Sequence, residues 1–287
     1  MVLNLTVAPS VEINIDHKTI TICAFNAGEP TQNLHNQIVN IIASGPSIAD
    51  LAFAKLLDMP TIFVNGSISL IETHDFTNIA GYVISDARFI SHHPEILQRF
   101  YKGQPLYATR AVFEAMAVTH PNILIMYHQA MRMIHPVDCL LDIKSNKSLL
   151  NKLGFKDKFF NKKKPLADFK NHPSFIIDDT HKPKPIGVSL DITHGFVEGG
   201  TVAYVAAQLA FSRQSGAIHL YGIDLLNSDQ PRFYENSENN APSKLSKAIT
   251  DRIVPSFNLL GSIYKKQGVP VVNLSPISKF LFDSLDE

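Results

Sequence analysis

Residues 38–43, which read Ile-Val-Asn-Ile-Ile-Ala, run directly into Ser44-Gly45-Pro46-Ser47, and this stretch decides the fold. A short apolar run that ends at a glycine-proline turn is typical of a buried strand and is too short for a helix of ordinary length. Helical spacing resumes over residues 48–57. The sequence therefore predicts a strand, a turn and a helix in succession.

The same unit recurs along the rest of the chain. Further strands are predicted at residues 61–64, 81–85, 106–109, 123–126, 217–221 and 270–273, and helices at residues 200–211 and 246–267 and at the C-terminus. Strands that alternate with helices form parallel sheets covered on both faces. Residues 37–287 are therefore expected to form one Rossmann-like, GT-A-like α/β domain with a mostly parallel sheet.

The first 36 residues follow a different pattern. Apolar and polar residues alternate from Val11 to Phe25, which predicts two strands joined near Asp16 and His17. Residues 1–36 are therefore interpreted as a short N-terminal β arm in front of the α/β domain.

The composition is that of a soluble globular protein. Of the 287 residues, 45% are hydrophobic and 18% charged, and the 26 basic and 26 acidic side chains give no electrostatic case for binding nucleic acid. No apolar run approaches a membrane span, and the N-terminus lacks the pattern of a secretory signal, so a cytoplasmic location is expected. Cys23 and Cys139 are interpreted as buried, reduced thiols.

Two segments depart from the alternating pattern. Residues 144–170 carry nine lysines against two aspartates, with leucine and phenylalanine interleaved. This segment is interpreted either as an amphipathic insertion that binds an anionic inner-membrane surface or an anionic acceptor, or as a solvated helix or loop on the domain. Residues 226–245 lack periodicity, as expected of a lid over a substrate.

Four polar motifs follow directly after predicted strands. In an open parallel sheet the carboxyl ends of the strands meet at one edge, where ligands bind. We therefore expect these motifs to form a nucleotide-binding site. The motifs are Ser44-Gly45-Pro46-Ser47, Asn65-Gly66-Ser67, Asp86-Ala87-Arg88 and Gly222-Ile223-Asp224.

Each motif has a functional and a structural interpretation. Gly45 permits close backbone approach, and Ser47 can cap a helix whose free N–H groups favour a phosphate, although many strand-to-helix turns look alike. The turn at Asn65 suits either hydrogen bonds to a nucleotide or a plain helix cap. Asp86 and Arg88 could orient a hydroxyl and bind an anion, or form a local ion pair.

The start of the small-residue helix is a further candidate. Gly199, Gly200 and Thr201 could form a seat for a phosphate or carboxylate at the helix N-terminus. The two glycines could equally be present for tight packing alone.

The sequence gives no indication of a metal or another cofactor. The 12 histidines lack metal-ligand spacing, and no DxD pair of carboxylates occurs. A metal-independent enzyme therefore fits better.

Taken together, the motifs resemble the family of the lipopolysaccharide core biosynthesis protein WaaZ, implicated in adding a further 3-deoxy-manno-octulosonic acid (Kdo) sugar to the inner core. The resemblance covers roughly residues 38–280 and is carried by SGP, VNGS, DxRF, residues 191–210, and G-x-D, RFY and PSxLS in order within residues 222–247. More distantly, the GPS turn, GID and NLSP look like the bacterial lipooligosaccharide sialyltransferases. Both comparisons imply a sugar activated by cytidine monophosphate (CMP).

The resemblance implies a donor site and an inverting displacement at the anomeric carbon. It places CMP against the strand-end turns and the helix start, with Arg88 and Arg232 for the carboxylate or phosphate and Tyr234 for the leaving group. The implied donor-binding residues are Ser44, Gly45, Pro46, Ser47, Asn65, Gly66, Ser67, Arg88, Gly199, Gly200, Thr201, Gly222, Asp224 and Arg232.

The catalytic base is left open by the resemblance. The sialyltransferases carry a histidine base in the lid, whereas this chain has no histidine after His219. Asp86, Asp191 and His194 are the candidates for that role.

The leading interpretation is transfer of Kdo from CMP-Kdo to a lipid A–inner core acceptor on the cytoplasmic face of the inner membrane. The alternatives are a CMP-sialic-acid-dependent sialyltransferase, a non-catalytic nucleotide-sugar-binding protein of core assembly, and a pterin pyrophosphokinase. The last is disfavoured because carboxylate pairs for magnesium are missing.

Overall fold

The computed structural model describes residues 9–139, 163–227, 232–234 and 248–286. The strands in chain order are β1 (Ser10–Ile15), β2 (Lys18–Cys23), β3 (Ile38–Ile42), β4 (Thr61–Val64), β5 (Ile79–Ile84), β6 (Leu106–Ala108), β7 (Met131–Met133), β8 (Phe175–Asp178), β9 (Ile186–Ser189), β10 (Ala217–Tyr221) and β11 (Val271–Asn273). The α-helices are α1 (Ala87–His92), α2 (Pro94–Phe100), α3 (Arg110–Thr119), α4 (Pro121–Tyr127), α5 (Val202–Ser212) and α6 (Val254–Lys266).

Seven strands form one parallel sheet in the order β11-β10-β3-β4-β5-β6-β7. The chain moves outward from β3 to β7 and later returns to place β10 on the other side of β3. Strand order therefore reverses between β3 and β10, and such a reversal opens a crevice at the carboxyl ends of the two strands. The predicted Rossmann-like α/β fold is confirmed.

Apolar residues on both faces of the sheet form two cores. Val39 and Ile41 of β3 face a core that contains α5 and α6, whereas Ile42 faces a core that contains α1 to α4. The chain therefore needs an almost continuously apolar β3, because successive side chains point to opposite, equally buried faces.

The N-terminal strands form the predicted hairpin. β1 and β2 pair antiparallel, and Asp16 in the turn has a φ of 50°, which a short polar side chain tolerates. The hairpin packs on α3 and extends along β7, where Ala24 pairs with Met133. Its apolar residues belong to the same core as α1 to α4.

Several predicted elements differ in the structure. Residues 123–126 lie inside α4 and not in a strand, because Pro121 at the first turn starts a helix. Residues 48–57 form two short 3₁₀ helices, Pro46–Asp50 and Phe53–Lys55. The C-terminal helix is a 3₁₀ segment, Pro276–Leu281, and β7 and the antiparallel pair β8–β9 were not predicted.

The predictions about thiols and special segments have mixed outcomes. Both cysteines are free as expected, but Cys23 is exposed and Cys139 half-buried, so their predicted burial is wrong. Most of the basic insertion and of the lid lies outside the described residues. Lys163 and Lys170, the described ends of the insertion, form ion pairs with Asp138 and Asp179.

No helix among the residues described has the length and apolar character needed to cross a membrane.

Candidate functional site

The turns after β3 and β10 are joined to each other at the point where strand order reverses. The Gly45 N–H donates to the Gly222 carbonyl at 3.0 Å. The Ser47 N–H and hydroxyl both donate to the Asp224 carboxylate, at 2.7 and 2.8 Å. Asp224 is only 6% exposed, so both of its oxygens are committed to holding the first turn against the second.

Glycine is required at both turns. A Cβ on Gly45 would overlap the Asp224 carboxylate and would lie 2.6 Å from the Gly222 carbonyl oxygen. Gly222 has a φ of 70°, a conformation that side-chain-bearing residues rarely adopt. The close approach expected at Gly45 is therefore made by the neighbouring turn.

The helix expected after Ser47 differs from the prediction in a way that affects the site. Pro46–Asp50 is a five-residue 3₁₀ helix whose N-cap is Gly45. Ser47 lies inside it, and its N–H donates to Asp224 and does not face an open N-terminus. The turn therefore lacks the long helix N-terminus on which the predicted phosphate seat depended.

The turn after β4 holds two buried polar side-chain groups, of which one has hydrogen-bond partners and one does not. Ser67 is fully buried, and its hydroxyl accepts from the Val64 N–H at 2.9 Å and donates to the Ile42 carbonyl at 2.6 Å. Asn65 has a φ of 50°, and its buried Oδ1 has no hydrogen-bond partner among the residues that the structure describes. Asn65 is therefore the residue of this turn with hydrogen-bonding capacity to spare.

Residues 232–234 lie across the turns after β3 and β4. The Phe233 N–H donates to the Ser44 carbonyl at 3.3 Å. Tyr234 covers Gly66 so closely that a Cβ there would overlap its ring. The structure thus brings Arg232 and Tyr234 to the same edge as Ser44–Ser47 and Asn65.

Asp86 and Arg88 are paired with each other. Asp86 caps α1 by accepting from the Arg88 N–H at 2.9 Å, and the Arg88 Nε donates to its carboxylate at 2.9 Å. The hydrogen bonds from Arg88 lower the pKa of Asp86. A carboxyl whose pKa is lowered is a weaker proton acceptor, so the geometry favours the local-ion-pair interpretation.

The helix start at residues 199–201 lies at the carboxyl edge of the sheet. The Gly216 N–H, after α5, donates to the Gln37 carbonyl before β3, so the opposite end of α5 faces the strand ends. Thr201 is the N-cap but makes no side-chain cap bond. A Cβ on Gly199 would overlap the Tyr204 ring, and Gly200 has a φ of 89°. Both glycines thus have a packing role, and the N–H groups at the helix start remain candidates for an anion.

Asp191 and His194 lie far from the start of α5. The Ile192 N–H donates to the Ser212 hydroxyl, at the C-terminal end of α5. Ten helical steps separate that end from the helix start, or about 15 Å. Asp191 caps the short turn that follows it by accepting from the Thr193 N–H at 2.8 Å. The structure does not bring these two base candidates to the joined turns.

His194 belongs instead to a cluster of three histidines. Its ring centroid lies 5.3 Å from that of His172, and it interacts with His135, which follows β7. Burial lowers the pKa of His135 to about 4; the electrostatic effect of His194 adds to this, and a hydrogen bond with the His194 backbone opposes it. β7 is four strands away from β3, about 19 Å at ordinary strand spacing.

Sequence reasoning missed one residue beside the joined turns. His93, between α1 and α2, is 2% exposed, and its ring centroid lies 5.4 Å from that of Tyr234 at an interplanar angle of 90°. The sequence pattern of His92 and His93 was considered only for metal binding. Because His93 and Tyr234 lie 141 residues apart in the sequence, no local signal indicates their contact.

Comparison with known proteins gives a consistent result. A family model described as 3-deoxy-D-manno-octulosonic acid transferase WaaZ matches residues 29–283. A Salmonella typhimurium protein named "Probable 3-deoxy-manno-octulosonic acid transferase" is 28% identical over 224 residues, which are 77% of this chain and 76% of that protein. An Escherichia coli protein of the same name is 26% identical over 256 residues, 88% of this chain and 82% of that protein. No solved structure matches.

Proposed function

This chain belongs to the family of 3-deoxy-D-manno-octulosonic acid (Kdo) transferase WaaZ, and on that basis we propose that it moves Kdo from CMP-Kdo to the inner core of a lipopolysaccharide or lipooligosaccharide. Family membership makes it a glycosyltransferase of lipopolysaccharide core biosynthesis. The CMP-activated donor, the inverting course, the independence from metal and action on the cytoplasmic face of the inner membrane are the finer parts of the proposal.

One observation carries the placement of the donor. The turns after β3 and β10 meet where strand order reverses, and ligands of open parallel sheets bind in that crevice. Asn65, with its spare amide oxygen, and residues 232–234 lie at the same edge. We therefore place CMP beside the joined turns, with Asn65 as a hydrogen-bond partner.

The proposed chemistry is a single displacement. An acceptor hydroxyl attacks the anomeric carbon of Kdo, the bond from that carbon to the CMP phosphate oxygen breaks, and a base takes the hydroxyl proton. Arg232 and the N–H groups at the start of α5 are candidates to stabilise the negative charge on the departing phosphate. Tyr234 is proposed to assist the same group as a hydrogen-bond donor.

The positions of the three base candidates favour Asp86. Asp86 lies at the carboxyl edge of the sheet, two strands from β3, but its pairing with Arg88 lowers its pKa. Asp191 and His194 lie near the opposite end of α5. Asp86 therefore has the better position, and Asp191 and His194 would need the acceptor to approach from another side.

The proposal is tested with purified protein and a lipid A–Kdo acceptor. CMP-Kdo and CMP-sialic acid are supplied in separate reactions, each with and without EDTA, and both CMP release and acceptor mass are followed. We expect CMP release and a mass gain of one Kdo from CMP-Kdo alone, unchanged by EDTA.

The other outcomes identify the alternatives. Transfer from CMP-sialic acid would indicate a sialyltransferase. CMP binding without release from either donor would indicate a nucleotide-sugar-binding protein and would overturn the transferase proposal. Loss of transfer in EDTA that is restored by a divalent cation would contradict metal independence.

A further inference from the structure

Two residues from separate parts of the chain contact the ring of Tyr234, and a third interacts with it electrostatically. Gly66 lies so close to the ring that a Cβ there would overlap it. His93 stands perpendicular to it, with ring centroids 5.4 Å apart. Tyr82 of β5 is fully buried, and Tyr234 is close enough to contribute, after burial, to the raised pKa of Tyr82. We call Gly66 and His93 the Tyr234 socket.

The histidine of the socket is itself held firmly. Its ring also contacts Phe89 of α1, with centroids 5.6 Å apart, and its Nδ1 lies 3.5 Å from a Glu95 carboxylate oxygen. Because His93 is only 2% exposed, its ring cannot turn into solvent without repacking the α1–α2 junction. A rigid side chain of this kind can fix the position of a neighbour.

From this arrangement we infer that His93 is a positioning residue that holds Tyr234 across the turns after β3 and β4. Perpendicular aromatic pairs are favourable because the positive edge of one ring meets the negative face of the other. Gly66, which has no side chain, lets the tyrosine ring approach the turn after β4 closely. Together they determine where the Tyr234 hydroxyl stands relative to the donor site. The catalytic consequence of this inference rests on the proposed function. The contact between His93 and Tyr234 does not.

The contact can be measured without any activity. The chain contains no tryptophan, so Tyr234→Trp introduces a single tryptophan at the socket, which can be excited selectively beside the tyrosines. We expect its emission to be at short wavelength and protected from acrylamide. Adding His93→Ala should shift the emission to longer wavelength and increase quenching. His92→Ala, which removes the neighbouring exposed histidine, should change neither.

The catalytic consequence is measured in the native-tyrosine background. We expect His93→Ala to lower kcat by about tenfold or more, with a smaller change in KM for the donor, since displacing a group by about 1 Å is costly to catalysis. His93→Phe keeps a ring against Tyr234 and should recover most of kcat. Thermal unfolding of each variant shows whether a loss reflects misfolding, and the phenylalanine variant covers the case in which alanine does not fold.

The outcomes separate this inference from the proposed function. If the wild-type protein transfers no sugar, the proposed function fails while the fluorescence experiment still decides the contact. If His93→Ala leaves tryptophan emission unchanged, or if His93→Phe loses kcat as fully as His93→Ala while remaining folded, the positioning role is overturned.

Discussion

The hydrogen bonds between Ser47 and Asp224 give the sharpest quantitative prediction. Ser47→Ala removes the hydroxyl that donates to the carboxylate at 2.8 Å and leaves the N–H bond at 2.7 Å in place. A hydrogen bond to a charged group contributes about 1.5–3 kcal/mol net, so the free energy of unfolding should fall by that amount.

The same hydrogen-bond energies predict the effect of substitutions at Asp224 on the free energy of unfolding. Asp224→Ala removes both bonds and should cost about 3–6 kcal/mol, a large part of the stability of an ordinary domain. Asp224→Asn keeps an acceptor for the Ser47 N–H and places an amide donor beside the hydroxyl, which can accept. It should therefore cost only about 1–3 kcal/mol, because the charge assistance is lost but the bonds are not.

Urea unfolding of the two alanine variants and of the double variant measures the coupling directly. We expect the double-mutant cycle to give at least about 1.5 kcal/mol of coupling, since both single changes remove the same hydroxyl–carboxylate bond. Ser91→Ala, at an exposed serine of α1, is the matched control and should stay within about 0.5 kcal/mol of wild type. Additive effects of the two substitutions would refute the pairing and the geometry of the joined turns.

Three further predictions concern separate parts of the molecule. Gly66→Ala should displace Tyr234 and lower kcat, whereas Gly28→Ala, near only the Asn26 side chain, should not. Equal activities of the two variants would contradict the packing of Tyr234 on Gly66. The pKa of His135 is lowered to about 4 in the folded protein. Between pH 6.5 and pH 4 the unfolded chain therefore binds more protons than the folded protein, and the free energy of unfolding should drop by about 3 kcal/mol as the pH falls through that range. Urea unfolding at several pH values should show a shallower loss in His135→Gln, and an equal loss would exclude His135 as the cause. Binding to anionic liposomes should weaken with salt and after charge reversal of residues 162–164, and binding unchanged by the reversal would remove the membrane role of the basic segment.

Much of the fold could be predicted because its signals are local. The apolar run before Ser44 and the turn after it identify β3, and the small residues of α5 identify a packed helix, whose observed bounds are close to the predicted ones. Residues 123–126 were wrongly predicted to form a strand because a run of four apolar residues is compatible with a strand and with a buried helix. The starting Pro121 was the signal that distinguishes the two.

The candidate site was predictable only as an edge of the sheet. The motifs after β3, β4 and β10 do meet there, as strand-end positions require. The partners within that edge depend on tertiary packing, since Ser47 and Asp224 lie 177 residues apart. No local pattern indicates that Asp224 holds a turn or that His93 contacts Tyr234. Asp86 and Asp191, in contrast, each cap the short helix that begins after a strand, which is a local reason for their positions.

A crystal structure of the protein with CMP would test the proposed donor site directly. We predict the nucleotide at the carboxyl edge of the sheet, between the turns after β3 and β10, with the Asn65 amide in hydrogen-bond contact and Tyr234 beside the phosphate. A nucleotide bound elsewhere, such as beside His135 and His194 at the far side of the sheet, would contradict it.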